Sequence, residues 1–250
     1  MQLDDLGNGV TSGEVEIFPG RRFQTSWRLL NRLDLATGKE ARIAADELCE
    51  HGYIVVEGVV EWVCGGMGRE VHGPAVLLAK IGGEHTIINR GGESARMVHM
   101  SVATGESVDA HRPFRVEPVD LESLRWSDAI HRGAGRIATR HLWGPEDFHS
   151  SWAFVDHAVL ESGSSVGYHY HDALEECFLV LKGRGFMTID DETFAVGPNS
   201  VTWQGIGTGH GIYNPAAENL EFLRLAVAQE DREFTTIDLH DDLSGRSPQR

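Results

Sequence analysis

Residues 163–183 read GSSVGYHYHDALEECFLVLKG, and this stretch decides the fold. Tyrosine alternates with histidine at residues 168–171, and an apolar run follows at residues 177–181, just before Lys182 and Gly183. Alternate residues of a β-strand share one face, so His169 and His171 point to the same side. Glu176 follows a short turn and begins the next strand, from which its carboxylate can reach back to the two imidazoles. The stretch therefore predicts two adjacent strands that carry metal-binding side chains.

A third histidine, His210, lies further along the chain in Gly207-Thr-Gly-His210-x3-Asn214. Three neutral imidazoles and one carboxylate suit a divalent first-row metal ion, and octahedral geometry would leave two positions open for substrate, water or dioxygen. Glu175 is the alternative carboxylate. We favour Glu176, because Glu175 would face the other side of the strand.

These residues resemble the two motifs of the cupin superfamily, G-x5-H-x-H-x3,4-E-x6-G and G-x5-P-x-G-x2-H-x3-N. Residues 163–183 match the first motif at every defined position. The second motif matches from Gly207 to Asn214, with Gly205 where proline is expected. The resemblance implies an all-β fold of double-stranded β-helix (jelly-roll) barrels. It also implies that the metal ligands are His169, His171, Glu176 and His210.

The chain repeats itself at an offset of 125 residues. This shift aligns Gly38 with Gly163, Gly58 with Gly183, His85 with His210, and Asn89 with Asn214. A single offset shared by many positions indicates duplication. We therefore predict two tandem barrels: an N-terminal domain at residues 1–110 with a degenerate metal motif, a connection at 111–136, and a metal-binding C-terminal domain at 137–250.

The first copy lacks the paired histidines of the second. At the shared offset, Ala44, Asp46 and His51 take the positions of His169, His171 and Glu176. Asp46, His51 and His85 could hold a metal as two imidazoles and a carboxylate. We favour instead a copy retained for packing and domain pairing. A metal-free pocket lined by Trp62, Cys64 and His72 is a third interpretation.

Composition restricts the partners and the setting. The 250 residues include 22 Lys+Arg and 38 Asp+Glu, and the net charge of −16 argues against nucleic acids and anionic membranes as partners. The three cysteines at positions 49, 64 and 177 form neither a zinc knuckle nor a C-x-x-C motif, which favours a reducing compartment. The acidic start has no signal-peptide pattern, and the apolar runs are too short to span a bilayer. We expect a cytoplasmic protein.

Function follows less directly, because one fold serves many chemistries. We expect a metal-dependent enzyme that acts on a small polar organic substrate, with a dioxygenase as the leading hypothesis. The alternatives are a non-redox lyase, isomerase or decarboxylase, and a non-catalytic binding or sensor protein. Iron is the first choice of metal, followed by manganese, nickel and zinc. No catalytic residue is assigned beyond the metal ligands, and exposed sheet edges are compatible with a homodimer.

Three expectations concern local structure. Asp120–Trp126 has the strongest helical pattern and predicts a turn or two of helix. Residues 235–250 are predicted to be a frayed polar tail. Histidines 131, 141, 149 and 157 crowd the start of the second copy, where some could cover the site and most are expected to be structural or on the surface.

Overall fold

The computed structural model describes residues 3–5, 12–18, 23–79, 81–106 and 114–248. Strands are the main secondary structure of these residues, and the one helical element among them is a short 3₁₀ helix, Pro145–Asp147. The strands of the first half are β1 (Leu3–Asp5), β2 (Gly13–Glu16), β3 (Trp27–Leu35), β4 (Glu40–Ile43), β5 (Cys49–Glu57), β6 (Val59–Cys64), β7 (Met67–His72), β8 (Ala75–Leu78), β9 (His85–Asn89), β10 (Ala95–Ala103) and β11 (Arg115–Pro118). The strands of the second half are β12 (Arg125–Asp128), β13 (Arg136–Trp143), β14 (Trp152–Leu160), β15 (Ser165–His171), β16 (Leu174–Lys182), β17 (Gly185–Ile189), β18 (Glu192–Val196), β19 (Ser200–Gln204), β20 (His210–Tyr213), β21 (Leu220–Ala228) and β22 (Thr236–Asp238). No helix among the described residues has the length and apolar character needed to cross a membrane.

Two antiparallel sheets form the N-terminal barrel. The larger has the strand order β11-β8-β5-β10-β3-β2, and the smaller has the order β4-β9-β6-β7. Large side chains such as Tyr53, Trp62 and Ile87 fill the space between them and have no exposed surface. This is the sheet-on-sheet arrangement of a jelly roll.

The C-terminal barrel repeats this plan. Its larger sheet has the order β1-β19-β16-β21-β14-β13-β12, and its smaller sheet has the order β18-β17-β20-β15-β22. Strand β1 comes from the N-terminus of the chain and pairs with β19, with Leu3 opposite Thr202. Phe178, Met187 and Phe222 fill the barrel and are almost completely buried. The fold is therefore all-β, with two tandem jelly-roll barrels.

A third apolar core lies between the two large sheets. On β16, Phe178 and Val180 face the interior of the barrel, whereas Cys177 and Leu179 face the other barrel. This alternation follows from the two-residue period of a strand. Because both faces of β16 are buried, the strand is apolar on both sides, which explains the continuous run in the sequence.

The 125-residue offset also relates contacts across this interface. The rings of Trp27 and Trp152 lie 5.6 Å apart. Phe23 stacks on Trp27 at 5.4 Å, and Phe148 stacks on Trp152 at 5.5 Å. The two halves therefore present equivalent surfaces to each other, as the subunits of an isologous dimer do.

The helical prediction for Asp120–Trp126 is wrong. The amide of Ser123 donates to Asp120 Oδ1 at 3.0 Å, which forms a turn, and residues from Arg125 onward form β12. Pairing of β12 with β13, which places Trp126 opposite Ala138, replaces the helical hydrogen bonds. Tertiary pairing overrides a weak local preference here.

The prediction of a frayed tail is also wrong for the described part of residues 235–250. Thr236–Asp238 forms β22, which pairs with β15 beside His169 and His171. Further along, the side chain of Leu243 is fully buried. The tail therefore belongs to the barrel wall, next to the strand that carries the paired histidines.

Candidate metal centre

Three strands bring the predicted side chains together. His169 and His171 lie on β15, Glu176 lies near the start of β16, and His210 opens β20. In the small sheet His169 is the register partner of His210. One ligand atom from each of the four residues lies within 4.8 Å of the others, and we call this group the four-residue cluster.

The four-residue cluster is buried. Exposure is 0% for His169 and Glu176, 1% for His210 and 4% for His171. The ring centroids of His169 and His210 lie 4.4 Å apart, and those of His169 and His171 lie 5.0 Å apart. Burial, together with the neighbouring His210 and His131, holds the pKa of His169 far below its ordinary value. His169 is therefore a neutral imidazole at pH 7, which is the form that binds metal.

Hydrogen bonds fix the orientation of all three rings. His169 Nδ1 donates to the carbonyl of Gly167 at 2.7 Å, and His210 Nδ1 donates to the carbonyl of Thr208 at 2.9 Å. His171 Nδ1 pairs with the hydroxyl of Thr236 at 3.0 Å. A ring that donates through Nδ1 carries its free lone pair on Nε2. This outer hydrogen bonding is typical of metal-binding histidines.

The Nε2 atoms point into the four-residue cluster. His169 Nε2 is buried and has no hydrogen-bond partner among the described residues. His210 Nε2 lies 2.9 Å from Glu176 Oε2, and His171 Nε2 lies 3.4 Å from the same oxygen. Because the Nδ1 atom of His210 already donates to Thr208, the short contact between His210 Nε2 and Glu176 Oε2 requires a proton or a metal ion between the two atoms. The donor set thus fits a divalent first-row ion.

A buried arginine stands behind the carboxylate. Arg224 Nε donates to Glu176 Oε1 at 2.7 Å, and Arg224 NH1 lies 4.0 Å from Asp156 Oδ2. Burial raises the pKa of Glu176, but the charge of Arg224 and the histidine contacts outweigh it and hold that pKa well below its ordinary value. Glu176 is therefore ionised, with Oε1 held by the protein and Oε2 facing the histidines.

Sequence reasoning did not identify Arg224 or Thr236. Arg224 is the one charged residue inside the apolar stretch Phe222–Ala228, and that is the signal that could have revealed it. Thr236 left no signal, because its role depends on the pairing of β22 with β15.

Side chains next to the four-residue cluster point elsewhere. Glu175 faces the other barrel, where Glu175 Oε1 accepts from the amide of Gln24 at 3.0 Å. The hydroxyl of Tyr168 donates to the carbonyl of Asp190 at 2.8 Å, away from the histidines. Cys177 is buried in the core between the barrels, where burial raises the pKa of its thiol.

The first barrel arranges its equivalent residues differently. His85 Nε2 pairs with the hydroxyl of Tyr53 at 2.8 Å, and His85 Nδ1 lies 3.1 Å from the carbonyl of Gly83. His51 Nδ1 pairs with His99 Nε2 at 3.0 Å. His51 Nε2 lies 3.9 Å from Asp46 Oδ2. Both nitrogens of His85 are thus engaged within the protein, and the structure does not bring Asp46, His51 and His85 together as metal ligands.

The residues considered for a metal-free pocket are also separated. Trp62 stacks on His85 with ring centroids 4.8 Å apart and is fully buried, and Cys64 is buried nearby. The side chain of His72 is 69% exposed and pairs with Glu70 on the surface. These three side chains do not line one cavity.

Comparison with known proteins gives concordant results. A family model described as Cupin domain matches residues 156–227. An oxalate-binding protein of Thermotoga maritima is 28% identical over 116 residues, which are 46% of this chain and 91% of that protein. An uncharacterized protein of Methanocaldococcus jannaschii is 30% identical over 98 residues, which are 39% of this chain and 78% of that protein. Among solved structures, a Cupin 2 conserved barrel domain protein from Leptotrichia buccalis has a TM-score of 0.62 at 14% identity, covering 89% of this chain and 91% of that one.

Proposed function

The chain belongs to the cupin superfamily, and from that premise we propose that its C-terminal barrel is a metal-dependent enzyme. His169, His171, Glu176 and His210 hold a divalent first-row ion in this proposal, and the substrate is a small polar organic molecule. The observation that carries it is the buried convergence of three oriented imidazoles on one ionised carboxylate. The reaction to test first is oxidation by dioxygen, and the metal to test first is iron, followed by manganese, nickel and zinc.

Neighbouring residues orient the proposed metal ligands and set their protonation states. The carbonyls of Gly167 and Thr208 hold the rings of His169 and His210 in one tautomer. Arg224 keeps Glu176 ionised and turned toward the rings. Burial of the four side chains keeps bulk water away from them, which strengthens each electrostatic interaction. When bound, the ion supplies Lewis acidity toward substrate oxygens and, if it is redox-active, electron transfer to dioxygen.

The surroundings favour a small substrate. The four-residue cluster is almost fully buried, so a large ligand could not reach it without movement of the walls. A cleft of about 700 Å³ between the barrels is lined on one side by Ala228–Phe234. The ring of Phe234 lies edge-on to His171 with centroids 5.8 Å apart. We therefore propose that this cleft leads to the metal centre, with Phe234 at the narrow end.

A second candidate is a binding protein for a small dicarboxylate. The Thermotoga maritima relative is an oxalate-binding protein, and the match covers 91% of that protein and 46% of this chain. Oxygen-rich anions are suitable ligands for a divalent ion, which can offset the negative field of the chain. In this candidate the ion and the anion bind, but no turnover follows.

Metal analysis tests the shared part of both candidates. Purified protein is loaded anaerobically with Fe(II) or Mn(II), dialysed and assayed for bound metal. We expect one ion per chain, and we expect His169→Ala to lose it. His72→Ala is the matched control, because His72 is a surface histidine of the other barrel. Metal that persists in His169→Ala would refute the ligand assignment.

Turnover with and without dioxygen separates the candidates. Fe(II)-loaded protein is incubated with small organic acids, including oxalate, while oxygen consumption and substrate loss are followed. A dioxygenase consumes both together and stops under anaerobic conditions. An undiminished anaerobic rate would instead support a lyase, isomerase or decarboxylase. Saturable oxalate binding with no substrate loss would support the binding protein.

A further inference from the structure

The segment Ile130–Gly133 lies directly against the strand that carries the paired histidines. The amide of Gly167, on β15, donates to the carbonyl of Ile130 at 3.2 Å. The amide of Ala134 donates to Ser165 Oγ at 2.8 Å. The segment is thus fixed to β15 by hydrogen bonds at both of its ends. We call residues 130–133 the capping loop.

Two glycines permit this close approach. A Cβ atom at Gly167 would lie 1.8 Å from the carbonyl oxygen of His131, and a Cβ atom at Gly133 would lie 2.0 Å from the carbonyl oxygen of Ser165. Both distances are far inside van der Waals contact with backbone atoms, so any other residue would push the capping loop away from β15. The sequence of β15 is therefore adapted to the loop as well as to the four-residue cluster.

The capping loop has an uncommon backbone conformation at its centre. His131 has φ of 52° and Arg132 has φ of 54°, which places both in the left-handed region. Such residues persist where the surrounding structure holds them, and they are often found at ligand sites. Arg132 Nε lies 3.4 Å from Asp238 Oδ2, so the loop also contacts β22.

This conformation brings the imidazole of His131 against two rings of the four-residue cluster. The ring stacks on His169 with centroids 3.9 Å apart and an interplanar angle of 26°. It lies edge-on to His171 at 6.4 Å. Neither ring nitrogen of His131 forms a hydrogen bond with any residue that the structure describes. His131 also stands outside the group of converging ligand atoms.

We propose that His131 contacts the ligand of the metal centre and donates a ring N–H hydrogen bond to one of its oxygen atoms. The inference rests on the proposed function and names the ligand class as a small oxygen-rich anion, for which a carboxylate is the simplest case. A neutral imidazole offers one such donor. Stacking on His169 fixes the ring in place, so little conformational entropy is lost when the hydrogen bond forms.

Binding of oxalate to the Mn(II)-loaded protein tests the proposal. His131→Phe keeps an aromatic ring over His169 but removes the donor. His131→Asn keeps an N–H donor and tolerates the left-handed backbone. We expect His131→Phe to bind Mn(II) with affinity within about twofold of wild type and to bind oxalate about tenfold more weakly, as expected for one lost hydrogen bond to a charged group. His131→Asn should recover most of the oxalate affinity.

Each other outcome has its own meaning. Unchanged oxalate affinity in His131→Phe would overturn the proposal and leave His131 as a stacking residue. If both variants stayed folded by circular dichroism but no longer bound Mn(II), the proposal would also be overturned, because His131 would then be a metal ligand. Wild-type protein that binds no Mn(II) would refute the metal centre itself. Wild-type protein that binds Mn(II) but no oxalate would refute the ligand class.

Discussion

At the scale of single residues, the orientation of Glu176 depends on Arg224. A carboxylate with no exposed surface is stable only if its charge is compensated. Arg224 compensates it through Glu176 Oε1, and Asp156 balances the guanidinium from the other side. The remaining oxygen, Oε2, is free to face the histidines. Arg224 is therefore a positioning residue for the proposed metal ligand.

We predict that Arg224→Lys weakens metal binding about tenfold or more. Lysine keeps the positive charge but lacks the planar fork that holds the carboxylate in one orientation. Changes to groups that orient metal ligands typically cost about 10–100-fold in affinity. Titration of apo-protein with Mn(II) measures the effect. Arg232→Lys is the control, because the side chain of Arg232 is 53% exposed and pairs with Asp172 on the surface. Equal affinity in both variants would contradict the prediction.

The histidines were predictable, whereas their supporting residues were not. Strand periodicity alone places His169 and His171 on one face, and the turn that follows brings Glu176 near them. The partners of Arg224 and Thr236 depend instead on which strands pair and in which register. A single sequence does not specify which strands pair or which residues lie opposite each other.

At the scale of elements, β15 is positioned by both of its neighbours. Strand β20 places His210 opposite His169, and β22 places Thr236 opposite His171. Polar composition made residues 235–250 resemble a free tail. Their order comes from strand pairing and from the buried side chain of Leu243, both of which are long-range interactions. The error at Asp120–Trp126 has the same cause.

We predict that Thr236→Val lowers metal affinity without disrupting β22. Valine has the shape of threonine and favours strands, but it removes the hydroxyl that pairs with His171 Nδ1. The ring of His171 then loses its fixed orientation, and we expect a loss of about tenfold in Mn(II) affinity. Thr193→Val is the control, since Thr193 pairs with Thr188 elsewhere in the same sheet. The prediction fails if both variants bind Mn(II) equally.

At the scale of the whole molecule, two equivalent carboxylates join the barrels. Glu50 Oε2 accepts from the amide of Ser150 at 3.2 Å and from its hydroxyl at 2.7 Å. Glu175 Oε2 accepts from the amide of Thr25 at 3.0 Å and from its hydroxyl at 2.6 Å. Glu50 and Glu175 are 125 residues apart, and so are their partners Thr25 and Ser150. Duplication therefore accounts for the interface as well as for the two folds.

We predict that Glu50→Gln and Glu175→Gln each lower the free energy of unfolding by about 1–3 kcal/mol. The new amide group would point one N–H toward backbone N–H donors and leave buried polar groups unpaired. Urea denaturation monitored by tryptophan fluorescence measures the loss, since Trp27 and Trp152 lie in the same interface. Glu70→Gln is the control, because the side chain of Glu70 is 64% exposed. A loss no greater than in Glu70→Gln would show that these contacts do not hold the barrels together.

The N-terminal barrel has kept histidines in its interior without forming a converging ligand group. Burial and the neighbouring histidines lower the pKa of His51 to about 4, and the carboxylates of Asp46 and Glu14 oppose this shift. Burial likewise lowers the pKa of His85 to about 4. Both rings are therefore neutral in the folded protein at pH 7. Their protonation at acid pH conflicts with the packing of the barrel.

We predict that this barrel loses stability as the pH falls from about 6.5 to about 4. In this window the unfolded chain binds protons at His51 and His85 that the folded chain does not, so the free energy of unfolding decreases with falling pH. The shift corresponds to on the order of 3 kcal/mol for each histidine. Urea denaturation at pH 4.5 and 7 measures the difference, which should be smaller in His51→Gln and His85→Gln. His72→Gln is the control, because His72 lies on the surface, and it should retain the wild-type difference in the free energy of unfolding between pH 4.5 and 7. If all three variants retained that difference, the acid sensitivity would come from other residues.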